Sequence, residues 1–266
     1  MMSEPEPRAK FGYSNLLASE EETLSFISFH PSEFDTSFPQ VIDTCLKLIY
    51  YAGTGSGLSG PDLDYHTYCW YQYAQLPHSL RSFILLYERG YYLELSFILR
   101  YLLEVLVKMK YLTKHKDFTA RIVTWSKIKI PSSQGKTKVL TVRDMFDEVS
   151  PGLYEFTYGR VLSGFQHGSL STILLRTHKN GQLRLGASYD QMNVQIMINM
   201  LVAISLGWLT QFPRSFPQGL ESFDEEMRAQ YERSRSWLKM AVRSHKEQNP
   251  KSSVWYKAID PLIEGD

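Results

Sequence analysis

The sequence predicts an all-α, mainly helical bundle with one inserted β-hairpin. Three observations carry that expectation. Long stretches repeat their apolar residues at helical spacing, the strongest running from Tyr91 to His115. Gly and Pro punctuate the chain between these stretches at intervals suited to helices. A single alternating segment, residues 173–187, turns about Asn180-Gly181, the strongest short hairpin signal.

The elements follow in order. Residues 1–30 are polar and acidic, with Glu20-Glu21-Glu22, and are expected to be loosely ordered. Pro39–Tyr51 reads as a first helix with Ser37 as its cap and Val41, Ile42, Cys45, Leu48 and Ile49 on one face. Residues 53–61, GTGSGLSGP, form a breaker. Asp62–Gln75 and Ser79–Glu88 are helical, separated by Pro77. The Tyr91–His115 helix is apolar on every sector and should be buried nearly all round. Asp117–Trp125 adds a short helix, and residues 126–140 read as a loop. Thr141 with Asp144 gives a capping-box start, and Pro151 opens a helix over Gly152–Ser171. After the hairpin, Tyr189–Gln211 is an apolar helix ended by Pro213 and Pro217, and Glu221–Glu247 is a long charged one. The organisation expected is one helical domain over 31–248, flanked by a loose N-terminal segment and a tail over 249–266.

Composition narrows the classes. The 266 residues are 43% hydrophobic, enough for a sizeable core. The two cysteines, Cys45 and Cys69, exclude a disulfide framework and an all-cysteine zinc site. They suit a reducing, cytoplasmic setting. Glu4, Glu6 and Arg8 interrupt the start, so no signal peptide is expected. Leu93–Leu112 carries Glu94, Arg100, Glu104, Lys108 and Lys110, too many charges for a membrane span. The net charge of +1 hides a division. Residues 1–117 carry 10 basic and 14 acidic side chains, residues 118–189 carry 10 and 4, and residues 190–266 carry 9 and 10. A basic centre favours an anionic partner, RNA among them. Its candidate contacts are Lys127, Lys129, Lys136, Lys138, Arg176, Lys179 and Arg184.

Four constellations could carry chemistry. Gly55, Gly57 and Gly60 match a G-x-G-x-x-G string, but a helix precedes it and Pro61 follows, so it reads as a linker rather than a dinucleotide fingerprint. His66, Cys69 and His78 lack the second ligand pair that a tetrahedral site needs, so no metal and no cofactor are expected. Arg100 and Glu104 lie one turn apart in the middle of a helix expected to be buried nearly all round, where a charged pair must be hydrogen-bonded. Arg160 and His167 lie two turns apart on one face, about 10.5 Å along the axis, with Ser163 between them. Histidine moves protons near neutrality and arginine forks onto phosphate.

The segments LRYLLEVLVKMKYL (99–112) and YGRVLSGFQHGSL (158–170) resemble the bacterial family known as domain of unknown function 5677, through Arg100, Glu104, Leu162, Ser163 and His167. Arg160-x6-His167 also resembles the motif of HEPN nucleases, with Val161 where many active members carry a polar residue. That resemblance implies a helical homodimer that cleaves RNA without metal, as a toxin or phage-defence effector. Arg160 would contact the scissile phosphate and His167 would transfer protons, with Ser163, Arg100 and Glu104 in the same catalytic set. Two other readings stay open. One is a scaffolding module with a protein partner, in which the Arg/Glu/His set is an internal network. The other is a nucleotide pocket lined by Tyr87, Tyr91, Arg100 and His167.

Overall fold

A computed structural model describes residues 13–29, 32–91, 94–124, 126–131, 136–155, 157–158, 191–248 and 253–264. Among them the chain is a helical bundle with one small antiparallel hairpin. The helices are α1 (Tyr13–Phe29), α2 (Glu33–Tyr51), α3 (Gly60–Glu88), α4 (Leu95–Lys114), α5 (Thr119–Val123), α6 (Val142–Val149), α7 (Gln191–Ser215), α8 (Pro217–Glu221), α9 (Glu225–Gln248) and α10 (Ser253–Ile263). A short 3-10 turn, Lys116–Phe118, joins α4 to α5.

The bundle is organised around α4 and α7. From Leu201 to Thr210 every residue of α7 is buried, because the helix packs on α4, α9 and α10 at once. A helix that is apolar on all sides needs neighbours on all sides. Among the described residues, 195–215 is the one stretch long and apolar enough to cross a membrane, and 83% of its apolar window is buried inside the bundle. Its apolar surface is already satisfied by protein. Trp208 locks the centre: its indole N–H donates to the Leu102 carbonyl at 3.2 Å, and the Tyr73 hydroxyl donates to the Trp208 carbonyl at 2.7 Å. Gly207 lets α7 approach α4 closely, since a Cβ there would meet the Leu106 side chain at 2.6 Å.

Several boundaries differ from expectation. Residues 13–29, expected to be loose, form α1 and pack on α3, with Ile27 buried. The first core helix starts at Ser32, not Ser37. Ser32 and Asp35 make a reciprocal capping box, and Pro39 sits inside the helix. Pro77 likewise leaves α3 as one element of 29 residues. Each proline removes one backbone bond, and burial of the surrounding apolar face outweighs that loss. The tail expected over 249–266 contains α10, whose Trp255, Ile259 and Leu262 are buried against the core. Strands appear where a loop was expected: β1 (Lys129–Pro131) pairs with β2 (Thr137–Val139), Ile130 facing Lys138. The hairpin expected over 173–187 lies outside the described residues. The Thr141–Asp144 capping box is present as read.

Candidate functional site

Arg100 and Glu104 stand one turn apart on α4, as their spacing dictates. Arg100 Nε donates to Glu104 Oε1 at 2.7 Å. Neither is sealed away: their side chains are 28% and 21% exposed. The residue that completes the pair is Tyr158. Its hydroxyl donates to Glu104 Oε1, and its ring lies under the Arg100 guanidinium at 4.3 Å. One carboxylate thus gathers a cation and a phenol, and the phenol's own π-face supports the cation.

The supporting wall is aromatic. Tyr154 stacks on Tyr158 at 4.5 Å between centroids, and both rings meet the edge of buried Phe146. Arg143 lies over Tyr154 and bonds Glu155 at 2.7 Å. The capping box at Thr141 starts α6 and so places Phe146 beneath these rings. Burial alone would lower the Arg100 pKa, but the bond to Glu104 and the neighbouring Tyr158 hold it above its ordinary value. Burial, then the bond to Glu104, pushes the Tyr158 phenol up. At neutral pH Arg100 therefore stays a cation and the Tyr158 phenol keeps its proton.

Sequence reasoning found Arg100 and Glu104 but missed Tyr158 and Tyr154. Their signal is present: two tyrosines four apart, the second two residues ahead of Arg160. Arg160, Ser163, His167, Arg176, Lys179 and Arg184 lie outside the described residues. Of the basic residues that are described, Lys138 pairs with Asp144. Lys127, Lys129 and Lys136 are exposed along the hairpin and its approach and make no ion pair among the described residues. Tyr87 and Tyr91 belong to a different neighbourhood. Tyr87 packs edge-on against Phe34, and the Tyr91 hydroxyl donates to Glu20 at 2.5 Å.

His66, Cys69 and His78 diverge along α3. His66 is turned toward the Ala52 carbonyl at 3.1 Å, Cys69 is buried, and His78 is exposed. Burial raises the Cys69 thiol to about 12, so it is a protonated packing residue at neutral pH. The glycine string, expected to be a linker, joins α2 to α3, and its Gly55 lines a cavity with His66, Lys116 and Arg214.

Comparison with known protein families, curated proteins and solved structures gives no match.

Proposed function

We propose that this chain is a HEPN-like, metal-independent endoribonuclease of the toxin or phage-defence kind, acting as a homodimer in the cytoplasm. One observation supports the reading above others. The Arg100–Glu104–Tyr158 cluster is water-accessible, and Tyr158 stands two residues before Arg160, so the chain enters the R-x6-H segment from the polar surface of α4.

In this reading the ribose 2′-hydroxyl attacks the adjacent phosphorus. His167 takes its proton and returns one to the departing 5′-oxygen. Arg160 offsets the charge that grows on the phosphoryl oxygens. The products are a 2′,3′-cyclic phosphate and a 5′-hydroxyl. Arg100, Glu104 and Tyr158 act as positioning residues, with Ser163 beside the reacting groups. A second copy of the motif across a two-fold interface makes the site denser. Lys127, Lys129 and Lys136 supply phosphate contacts that fall away with salt.

The test is His167→Ala against single-stranded RNA with and without chelator. Loss of cleavage at an unchanged melting temperature, with wild-type cleavage insensitive to chelator, is expected. Cleavage that survives the substitution overturns the reading. A melting temperature that drops with no reaction to lose favours the scaffolding alternative, for which the closed Arg100–Glu104–Tyr158 bonding is the supporting observation.

A further inference from the structure

The outward side of α3 repeats in steps of three and four residues: Asp64, Thr67, Tyr71, Ala74, His78 and Arg81. At about 100° per residue these positions form one stripe along the helix. All but Ala74 are exposed, and Trp70 stands beside the stripe, 36% exposed against 59% for Tyr71. The two rings meet edge to face with centroids 5.5 Å apart. A solvated helix face is normally polar along its length. An indole and a phenol together in the open are instead what the centre of a protein interface is made of.

The charges on the stripe are placed about that centre. Asp64 and Arg81 are exposed, and neither makes an ion pair among the described residues, unlike Asp62, which is held by Lys116 at 2.6 Å. Their midpoint in the chain falls between Gln72 and Tyr73. That is also the midpoint of Thr67 and His78, of Trp70 and Gln75, and of Tyr71 and Ala74. Two copies of α3 laid antiparallel and crossing at that point therefore bring the members of each pair onto one another. Any stripe with this spacing has such a centre. What meets there is particular to this one: opposite charges twice at the rim, and a bulky ring over a small side chain twice in the middle. A parallel pair would instead set Asp64 against Asp64 and Arg81 against Arg81, which repel.

We propose that α3 is a self-association face, on which a second copy of this chain docks antiparallel across a two-fold axis. Arg81 of the partner subunit pairs with Asp64, and Tyr71 packs over Ala74 of the partner subunit with Trp70 beside it. The contact is isologous, so it closes at the dimer and builds no filament. Tyr71 as knob and Ala74 as hole give helix packing of the three-four kind. The nuclease reading needs a dimer but does not say where two copies meet. The α3 face stands on its own surface and does not rest on RNA cleavage.

Sedimentation velocity of the full chain over a roughly hundredfold range of concentration reads the association. A concentration-dependent monomer–dimer equilibrium is expected, and a monomer throughout overturns the proposal. Tyr71→Glu places two carboxylates near the two-fold axis and should leave a monomer with unchanged circular dichroism. A dimer that survives that substitution overturns the face. Asp64→Arg and Arg81→Asp each set like charges against each other and should weaken association roughly tenfold. Mixed in equal amounts, these two variants form a heterodimer in which both ion pairs return, so association should recover to near the wild-type value. A mixture no stronger than either variant alone overturns the antiparallel register. Because the charge variants are independent of Tyr71, a folding defect in Tyr71→Glu leaves the test intact. A dimer that does not cleave RNA counts against the nuclease reading alone, and a monomer that cleaves it counts against the α3 face alone.

Discussion

Two polar clusters hang on opposite faces of α4, and they differ in charge. Toward α7, Tyr65, Thr113, Gln211 and Ser215 share hydrogen bonds of 2.9 to 3.3 Å in a network of neutral groups. Toward residue 158, Arg100 and Glu104 carry full charges and stay partly open to water. Hydroxyls and amides can be buried once bonded to each other, whereas an ion keeps a desolvation penalty that one partner does not cancel. The chain thus puts its neutral polar groups where water is excluded and its charged ones where it is not. Stability should respond to the first cluster and function to the second.

The largest effect belongs to the seam that holds the sealed side together. Trp208 is 1% exposed and bonds the α4 backbone through Leu102. Trp208→Ala leaves a cavity in the middle of α7 and should cost about 3–5 kcal/mol, read from denaturant titration. A loss below about 1 kcal/mol would mean that α7 is not the organising helix.

Gln211→Leu sharpens the contrast within the sealed cluster itself. It removes one amide that donates toward three hydroxyl oxygens, those of Tyr65, Thr113 and Ser215. It also removes an acceptor, Gln211 Oε1, that finds no partner among the described residues. The two effects oppose, and the lost donors outweigh the relieved acceptor, for a net cost of about 1–2 kcal/mol. A variant as stable as the wild type would make this network incidental to the fold.

Glu104→Gln is the counterpart on the open face. The pair is partly screened, so stability should fall by no more than about 1 kcal/mol. Under the proposed nuclease function the rate of RNA cleavage should fall much further, because Arg100 and Tyr158 lose the carboxylate that sets their positions. A large stability loss with an unchanged rate would reverse the assignment of the two faces.

The sequence made one face more legible than the other. Arg100 and Glu104 stood out because charge inside an apolar helix is anomalous at the level of single residues. The sealed cluster did not, since an uncharged Thr, Gln and Ser toward the ends of two apolar helices carry no local anomaly until three helices converge on them. Helix periodicity marked α4, and side-chain chemistry marked the Thr141 cap. Prolines misled: Pro39 and Pro213 read as boundaries, yet both lie within helices, where tertiary packing outweighs a missing backbone bond. The 53–58 loop read as a linker because its glycines announce conformational freedom, and nothing local announces that His66 and Arg214 will close round it.

A site between the two extremes gives the smallest and most specific test. His245 on α9 is half-buried against Tyr256 of α10, with the Lys246–Asp260 pair beside it at 2.5 Å. Burial lowers its pKa below the ordinary 6.5. In the folded chain the ring therefore stays neutral at a pH where the unfolded chain has already taken up a proton. The unfolded state then binds more protons than the native one, so stability falls as the medium becomes more acid. The contribution is complete above pH 6.5 and is lost as pH falls through that value toward the lower folded one. Melting temperature measured from pH 7.5 to 5 should decline more in the wild type than in His245→Gln, which cannot titrate. Parallel declines would show that this ring is solvated like a surface histidine. The graded rule, in which the energetic cost of charge follows exclusion of water, would then fail at its intermediate point.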